Sequence, residues 1–268
     1  MEKSFGVIIN SGSGTENIQI KLGQIKEAFS ALRLKADFYL LNPANTMEDV
    51  VARAVADGHG VLVAVGGDGT INALAAQIMH SDLVLGIIPF GTFNHLAKDL
   101  NIPLEIEDAV KILSAGKIEK IDVGSVNDRI FLNNSSIGLY TKLVHYRDEH
   151  QKLGWSKRIA IIKALAAVFR KYSFLNVEME MQGETKLIKS PLVFVGNNNY
   201  EIEGFDLGSR DNLQRGFLSL YVVKHSSRFS FMRLLFWAMI GKLSGHELFV
   251  EYHTKHVTLN TRKQLLRV

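Results

Sequence analysis

A chain of 268 residues, 47% of them hydrophobic and 22% charged, is long enough for one large or two modest domains and too apolar for wholesale disorder. It contains no cysteine, which excludes disulfides, thiolate metal sites and a cysteine nucleophile and fits a reducing compartment. The formal net charge of +4 is too mild to mark a nucleic-acid binder, yet it suits a protein that meets phosphates or an anionic membrane surface.

The opening MEKSFGVIIN holds too short an apolar run for a signal peptide and passes straight into strand-like sequence, FGVIIN. Next come a helix over IKLGQIKEAFSAL, a strand at ADFYLL, and a helix over TMEDVVARAVAD with Thr46 as its N-cap. The strand VLVAV leads to a helix starting near Thr70, then the strand LVLGIIP and a helix around FNHLAKDL. A further helix, IEDAVKILSAG, closes with Gly116 at a C-cap position. Short all-apolar strands alternating with amphipathic helices predict a parallel sheet covered on both faces.

Beyond Asp122 the rhythm changes. RIFLNNSSIG, NVEMEM, KLIKSPLVFVGN, GFLSLYVV, LFVEYHT and HVTLNT are short runs with much alternation, separated by turn residues, as in an antiparallel sheet or sandwich. Helical stretches near 155–172 and 228–243 interrupt it. The predicted fold is thus an α/β domain with a parallel sheet over residues 1–122, followed by an antiparallel β-sandwich domain over 123–268. The apolar stretch 229–243 contains Arg233 and Lys242 and falls short of the roughly 20 residues a spanning helix needs, so a cytoplasmic protein is expected.

The chemistry concentrates where VLVAV hands over to a helix through Gly66-Gly67-Asp68-Gly69-Thr70. A phosphate needs several main-chain N–H donors aimed at one point with no side chains in the way. Glycines permit that approach and positive φ, and a helix N-terminus adds partial positive charge. Asp68 repels phosphate unless a divalent cation or a substrate hydroxyl stands between them. Taken alone, the turn reads equally well as a tight connection with Asp68 capping the helix. Neither GxGxxG nor GxxxxGK[ST] is present, which sets aside the common dinucleotide and Walker patterns. A second strand–turn–helix, Pro89-Phe90-Gly91-Thr92-Phe93-Asn94, repeats the design, and a first-strand turn, NSGSGT from Asn10, joins them. Three small-residue turns on one sheet edge point to a polyphosphate.

GGDGTIN at 66–72, PFGTFNHLAKDL at 89–100 and FLNNSSIGLY at 131–140 resemble the diacylglycerol-kinase catalytic-domain family, with bacterial soluble lipid kinases among its members and sphingosine and ceramide kinases as relatives. The resemblance covers essentially the whole chain. It implies ATP bound between an α/β domain and a β-sandwich, with the γ-phosphoryl group passing to a lipid hydroxyl. Gly66, Gly67, Gly69 and Thr70 would then cradle phosphates, and Asp68 would hold Mg²⁺ or orient the acceptor hydroxyl. Thr92 and Asn94 would line the phosphate pocket, with Asn10 approaching the nucleotide. A lipid acceptor further implies transient contact with a membrane surface; nucleic acid is not expected as a partner, and a homodimer stays open.

The chain departs from the family at several places. Asn10-Ser11 stands for a common Asn-Pro, Ala73 for an acidic residue, His95 for a frequent Asp, and Gly138-Leu139-Tyr140 for Gly-x-Asp. Gln214 and Arg215 stand where bacterial members carry an acidic pair associated with a structural Mg²⁺, so that metal site is not expected. An Asp-Gly-Glu motif, whose aspartate is a proposed general base, would follow the strand-like QLLRV; the sequence stops at Val268, and a longer natural chain is the favoured expectation. GGDGT alone is shared with NAD kinases, so NAD phosphorylation is a second reading. A degenerate kinase that binds nucleotide or lipid and regulates something else is a third. The basic amphipathic stretch 154–174 suits either packing on its own domain or lying on an anionic bilayer. No histidines form HExxH or HxxxH on a clear helix, His253 and His256 read as residues flanking a strand turn, and no G-x-S-x-G elbow supports a hydrolase.

Overall fold

The structure, a computed structural model, describes residues 4–12, 18–138, 175–203, 206–207, 209–223 and 249–261. The helices expected near 155–172 and 228–243, Leu139 and Tyr140, and the QLLRV ending lie outside them. The chain divides into two units, Met1–Ile121 with Asn127–Leu132, and Asp122–Val126 with Asn133–Val268.

The first unit alternates β1 (Ser4–Asn10), α1 (Ile18–Ala31), β2 (Lys35–Leu41), α2 (Met47–Ala56), β3 (Val61–Gly66), α3 (Asp68–Ile78), β4 (Val84–Pro89), α4 (His95–Asp99) and α5 (Ile106–Ala115). Two short strands follow in the chain, β5 (Gly124–Val126) of the second unit and β6 (Arg129–Phe131) of the first. The four long strands form one parallel sheet in the order β2-β1-β3-β4.

β1 and β3 are apolar on both faces because helices cover both. Val7, Ile9, Val63, Val65 and Ile88 join Ile25, Ala28 and Phe29 of α1 and Ala109 and Val110 of α5 in one buried cluster. Ile8, Leu62, Ala64 and Ile87 alternate with them and are buried on the opposite side. There α2 packs on α3, contributing buried Val50, Ala54, Ile71 and Leu74.

Local capping fixes where two of the helices begin and end. The Thr46 hydroxyl accepts the Asp49 N–H (3.1 Å) and the Asp49 carboxylate accepts the Thr46 N–H (2.9 Å), a reciprocal pair that starts α2. The Thr46 N–H first, and then the Thr46 hydroxyl, which also donates to this carboxylate (2.7 Å), hold the Asp49 carboxyl below the ordinary carboxylate value. Gly116 ends α5 in the left-handed region, φ 67°.

The second unit is antiparallel. It adds β7 (Asn134–Gly138), β8 (Leu175–Met181), β9 (Glu184–Ser190), β10 (Leu192–Asn197), β11 (Ile202–Glu203), β12 (Asp206–Leu207), β13 (Leu218–Val223), β14 (Phe249–Thr254) and β15 (Thr258–Thr261). One sheet runs β14-β13-β10-β7 and another β15-β8-β9, with β11 and β12 paired separately. β8 alternates strictly between buried and exposed residues, while β10 and β13 are buried nearly throughout. Pro191 breaks the long KLIKSPLVFVGN run into β9 and β10.

A polar knot holds the unit's centre. Buried Arg210 donates to the Asn197 carbonyl (3.1 Å) and to Asn133 Oδ1 (2.7 Å). The Tyr221 hydroxyl donates to Asn199 Oδ1 (3.0 Å) and accepts the Tyr200 N–H (2.9 Å), and burial pushes its phenol well above the ordinary tyrosine value.

Candidate functional site

Strand order and helix placement together open a crevice in the first unit. β1 and β3 are neighbours, but α1 leaves β1 toward the face shared with α5, and α3 leaves β3 toward the face shared with α2. The turns beyond their carboxyl ends therefore diverge, and in open parallel sheets this is where ligands bind. Asn10 at the end of β1 reaches across: its Nδ2 donates to Thr70 Oγ1 (2.8 Å), and its Oδ1 accepts the Gly12 N–H (2.9 Å).

The turns after β3 and β4 are pressed together. A Cβ on Gly91 would lie 2.4 Å from the Gly67 Cα, and one on Gly67 would lie 3.1 Å from the Gly91 Cα. A Cβ on Gly66 would meet the Thr70 side chain at 2.5 Å. The Phe90 N–H donates to the Gly66 carbonyl (2.8 Å). Asn94, buried and left-handed at φ 51°, closes its own turn by accepting the Gly91 N–H (2.8 Å) and donating to the Gly91 carbonyl (2.9 Å). Asn tolerates this backbone better than other non-glycine residues.

These contacts correct the sequence reading of the glycines. None of Gly66, Gly67, Gly69 or Gly91 has positive φ. Gly66, Gly67 and Gly91 are small because other protein atoms occupy the space a side chain would need. Gly69 differs: it is exposed in the first turn of α3, and nothing lies within 4 Å of where its Cβ would be. Helical geometry itself offers its N–H no acceptor. Thr70 is buried; its hydroxyl is held by Asn10 and its N–H by the Gly67 carbonyl (2.9 Å), so it braces the turn rather than lining an open cradle. Thr92 stands exposed at the tip of the second turn. The helix expected from Thr70 already begins at Asp68.

The half-buried Asp68 links the two turns. Its carboxylate accepts the N–H groups of His95 (3.3 Å) and Leu96 (3.2 Å), the first two residues of α4. Asp68 does not cap the helix it opens, whose N-cap is Gly67 with no side-chain bond; its carboxylate instead serves the first turn of α4, across the crevice. A carboxylate has about four lone-pair positions and can serve amide donors and a cation or a hydroxyl together.

Two supports were not read from the sequence. The Lys21 ammonium, buried with its side chain, sits 3.5 Å from the Phe90 ring centroid, a cation–π contact worth about 2 kcal/mol when desolvated. The available signal was Lys21 standing in helical register with buried Ile25, Ala28 and Phe29. Asn72 clamps the strand β6 region, donating to the Ile130 carbonyl (3.1 Å) and accepting the Leu132 N–H (3.0 Å).

Among the described residues no three His, Cys, Asp or Glu side chains gather as a metal cage. Arg215, in place of the acidic pair, is ion-paired with Asp211 (2.5 Å) within its own loop. The second unit holds a separate cleft of about 610 Å³, lined among others by Met181, Phe217, His253, Lys255 and His256. No helix among the described residues is long and apolar enough to cross a membrane.

The described fold is that of a parallel α/β unit with tightly packed glycine turns at its switch point, joined to an antiparallel β unit. Crystal structures from Bacillus anthracis str. Sterne share it, one described as a diacylglycerol kinase at TM-score 0.74 and 19% identity, covering 99% of this chain and 88% of that one. Another from the same organism reaches TM-score 0.75 at 21% identity. A diacylglycerol kinase of Staphylococcus aureus (strain bovine RF122 / ET3-1) is 25% identical over 274 residues, 99% of this chain and 84% of that protein. One from Staphylococcus saprophyticus subsp. saprophyticus is 25% identical over 272 residues, 98% and 83% of the two chains. The diacylglycerol kinase catalytic domain profile matches residues 4–126, which contain all three turns, and over that stretch the chain is similar to that family.

Proposed function

We propose that this protein is a lipid kinase that moves the γ-phosphoryl group of ATP onto the hydroxyl of a diacylglycerol-like lipid alcohol. The observation that carries this reading is the convergence at the β1/β3 switch point: Asn10 bonded to Thr70, and Gly67 packed against Gly91. The similarity to diacylglycerol kinases favours a lipid alcohol over NAD as the acceptor.

Phosphoryl transfer asks a protein mainly for positioning and charge neutralisation, and a site made of turns can supply both. The exposed first-turn N–H of Gly69 and the Thr92 hydroxyl are the donors offered to phosphate oxygens. Asn10, Thr70 and Asn94 fix where those donors point. Mg²⁺, when bound, would neutralise charge on the phosphates. Asp68 would hold it through its carboxylate, the charged oxygen ligand this crevice offers. Because the acceptor is a lipid, turnover takes place at a membrane surface.

A phosphorylation screen tests the proposal, with labelled ATP, Mg²⁺ and a lipid extract. The expected result is Mg²⁺-dependent ADP release stimulated by a lipid alcohol, with label in the lipid fraction. Conversion of NAD to NADP at comparable rates would replace the reading with NAD kinase. Tight Mg-ATP binding without any ADP would replace it with a nucleotide-binding regulator.

A further inference from the structure

A buried cation stands beside the crevice. Lys21 is 2% exposed, and its ammonium lies 3.5 Å from the Phe90 ring centroid. Phe90 is the first residue beyond β4, and its N–H is held by the Gly66 carbonyl (2.8 Å). The next residue, Gly91, is the one pressed on Gly67. Phe90 and Leu22 also pack on the core that α1 shares with α5. The ammonium is therefore held inside the protein, against the side chain that roots the turn after β4.

Taking a cation out of water costs free energy, and filling the space does not require one: a methionine or a leucine would occupy it. A charge kept in such a place is weakened by water and salt far less than that of a surface lysine. An anion in the adjoining crevice gains from it, and gains more the more charge it carries. ATP carries one phosphate group more than ADP and two more than AMP.

We propose that Lys21 is a specificity-determining residue that tunes the crevice to a triphosphate through the field of its buried charge, an inference that rests on the lipid-kinase reading of this site. The Gly69 N–H and the Thr92 hydroxyl are short-range donors that serve any phosphate placed on them. The Lys21 charge acts over a longer distance, so it ranks ligands by phosphate number.

The test is calorimetric titration of the full chain with ATP, ADP and AMP, with Mg²⁺ present throughout. Lys21→Met keeps an unbranched side chain against the Phe90 ring and removes the charge. It should raise Kd about tenfold for ATP, about threefold for ADP and less than about twofold for AMP. Lys21→Leu should give the same order of losses, and it decides the matter if Lys21→Met does not fold. The proposal is overturned if a folded variant binds ATP within about twofold of the wild type. It is equally overturned if all three nucleotides weaken by one common factor, the mark of a residue that only packs. A wild type that binds no adenine nucleotide defeats the lipid-kinase reading and this one with it. A wild type and variants that bind ATP alike defeat only the role of Lys21.

Discussion

Asp68→Asn should reduce turnover about 100- to 1,000-fold, the scale of removing a group that positions or neutralises transition-state charge. It should leave the protein folded. The amide oxygen can still accept one of the two α4 N–H groups, while its NH₂ now opposes the other, so a stability loss of about 1–2 kcal/mol is expected from the exchange. Thermal melting and steady-state assays at saturating ATP separate the two effects. Asp68→Ala should lose the same activity and more stability, because both amides are then left to water. Near-normal turnover in a folded Asp68→Asn protein would remove Asp68 from the chemistry and leave it as a brace between turns.

Substituting two glycines of the site should give opposite results. Gly91→Ala places a methyl 2.4 Å from the Gly67 Cα and 2.9 Å from Asn94 Oδ1, so the two turns must separate. Overpacking of this kind costs about 1–3 kcal/mol, and nucleotide binding should fall with the melting temperature. Gly69→Ala adds its methyl to open space in a helical turn, where alanine stabilises by about 0.4–1 kcal/mol. Its melting temperature should hold or rise while its ATP affinity drops more than about tenfold, the methyl standing where the phosphate chain passes. If both variants simply track stability, the phosphate contact is wrongly placed.

Much of the first unit was legible because its strands are buried on both faces and its helix ends carry their own chemistry. VLVAV can be little else than a central strand, Thr46 announces the start of α2, and Gly116 announces the end of α5. The alternation in NVEMEM marks β8 for the same reason. Strand order was not legible. Nothing local to β1 or β3 says that they are neighbours, and only that adjacency turns Asn10 and Thr70 into a bonded pair.

The glycines show the same limit from the other side. Sequence identifies residues without side chains but not what excludes them. Gly66, Gly67 and Gly91 make way for protein, whereas Gly69 alone among these four faces open space. Asp68 was ambiguous because a cap and a cation ligand use the same acceptor atoms. Its bonds to the first N–H groups of α4 depend on α4 ending up opposite α3, which is a tertiary fact. Lys21 was missed because a lysine in an apolar stripe reads as an exposed edge until the Phe90 ring is placed above it.

The central claim is that the turns after β1, β3 and β4 jointly receive a triphosphate. Amide NMR of the isotope-labelled protein, titrated with Mg²⁺ and a non-hydrolysable ATP analogue, tests it most directly. The account predicts saturable shifts at Ser11 and Gly12, at Gly67, Gly69 and Thr70, and at Gly91, Thr92 and Asn94, with the largest at Gly69. Shifts that leave Gly69 and Thr92 still and gather instead around Phe217, His253 and His256 would contradict it.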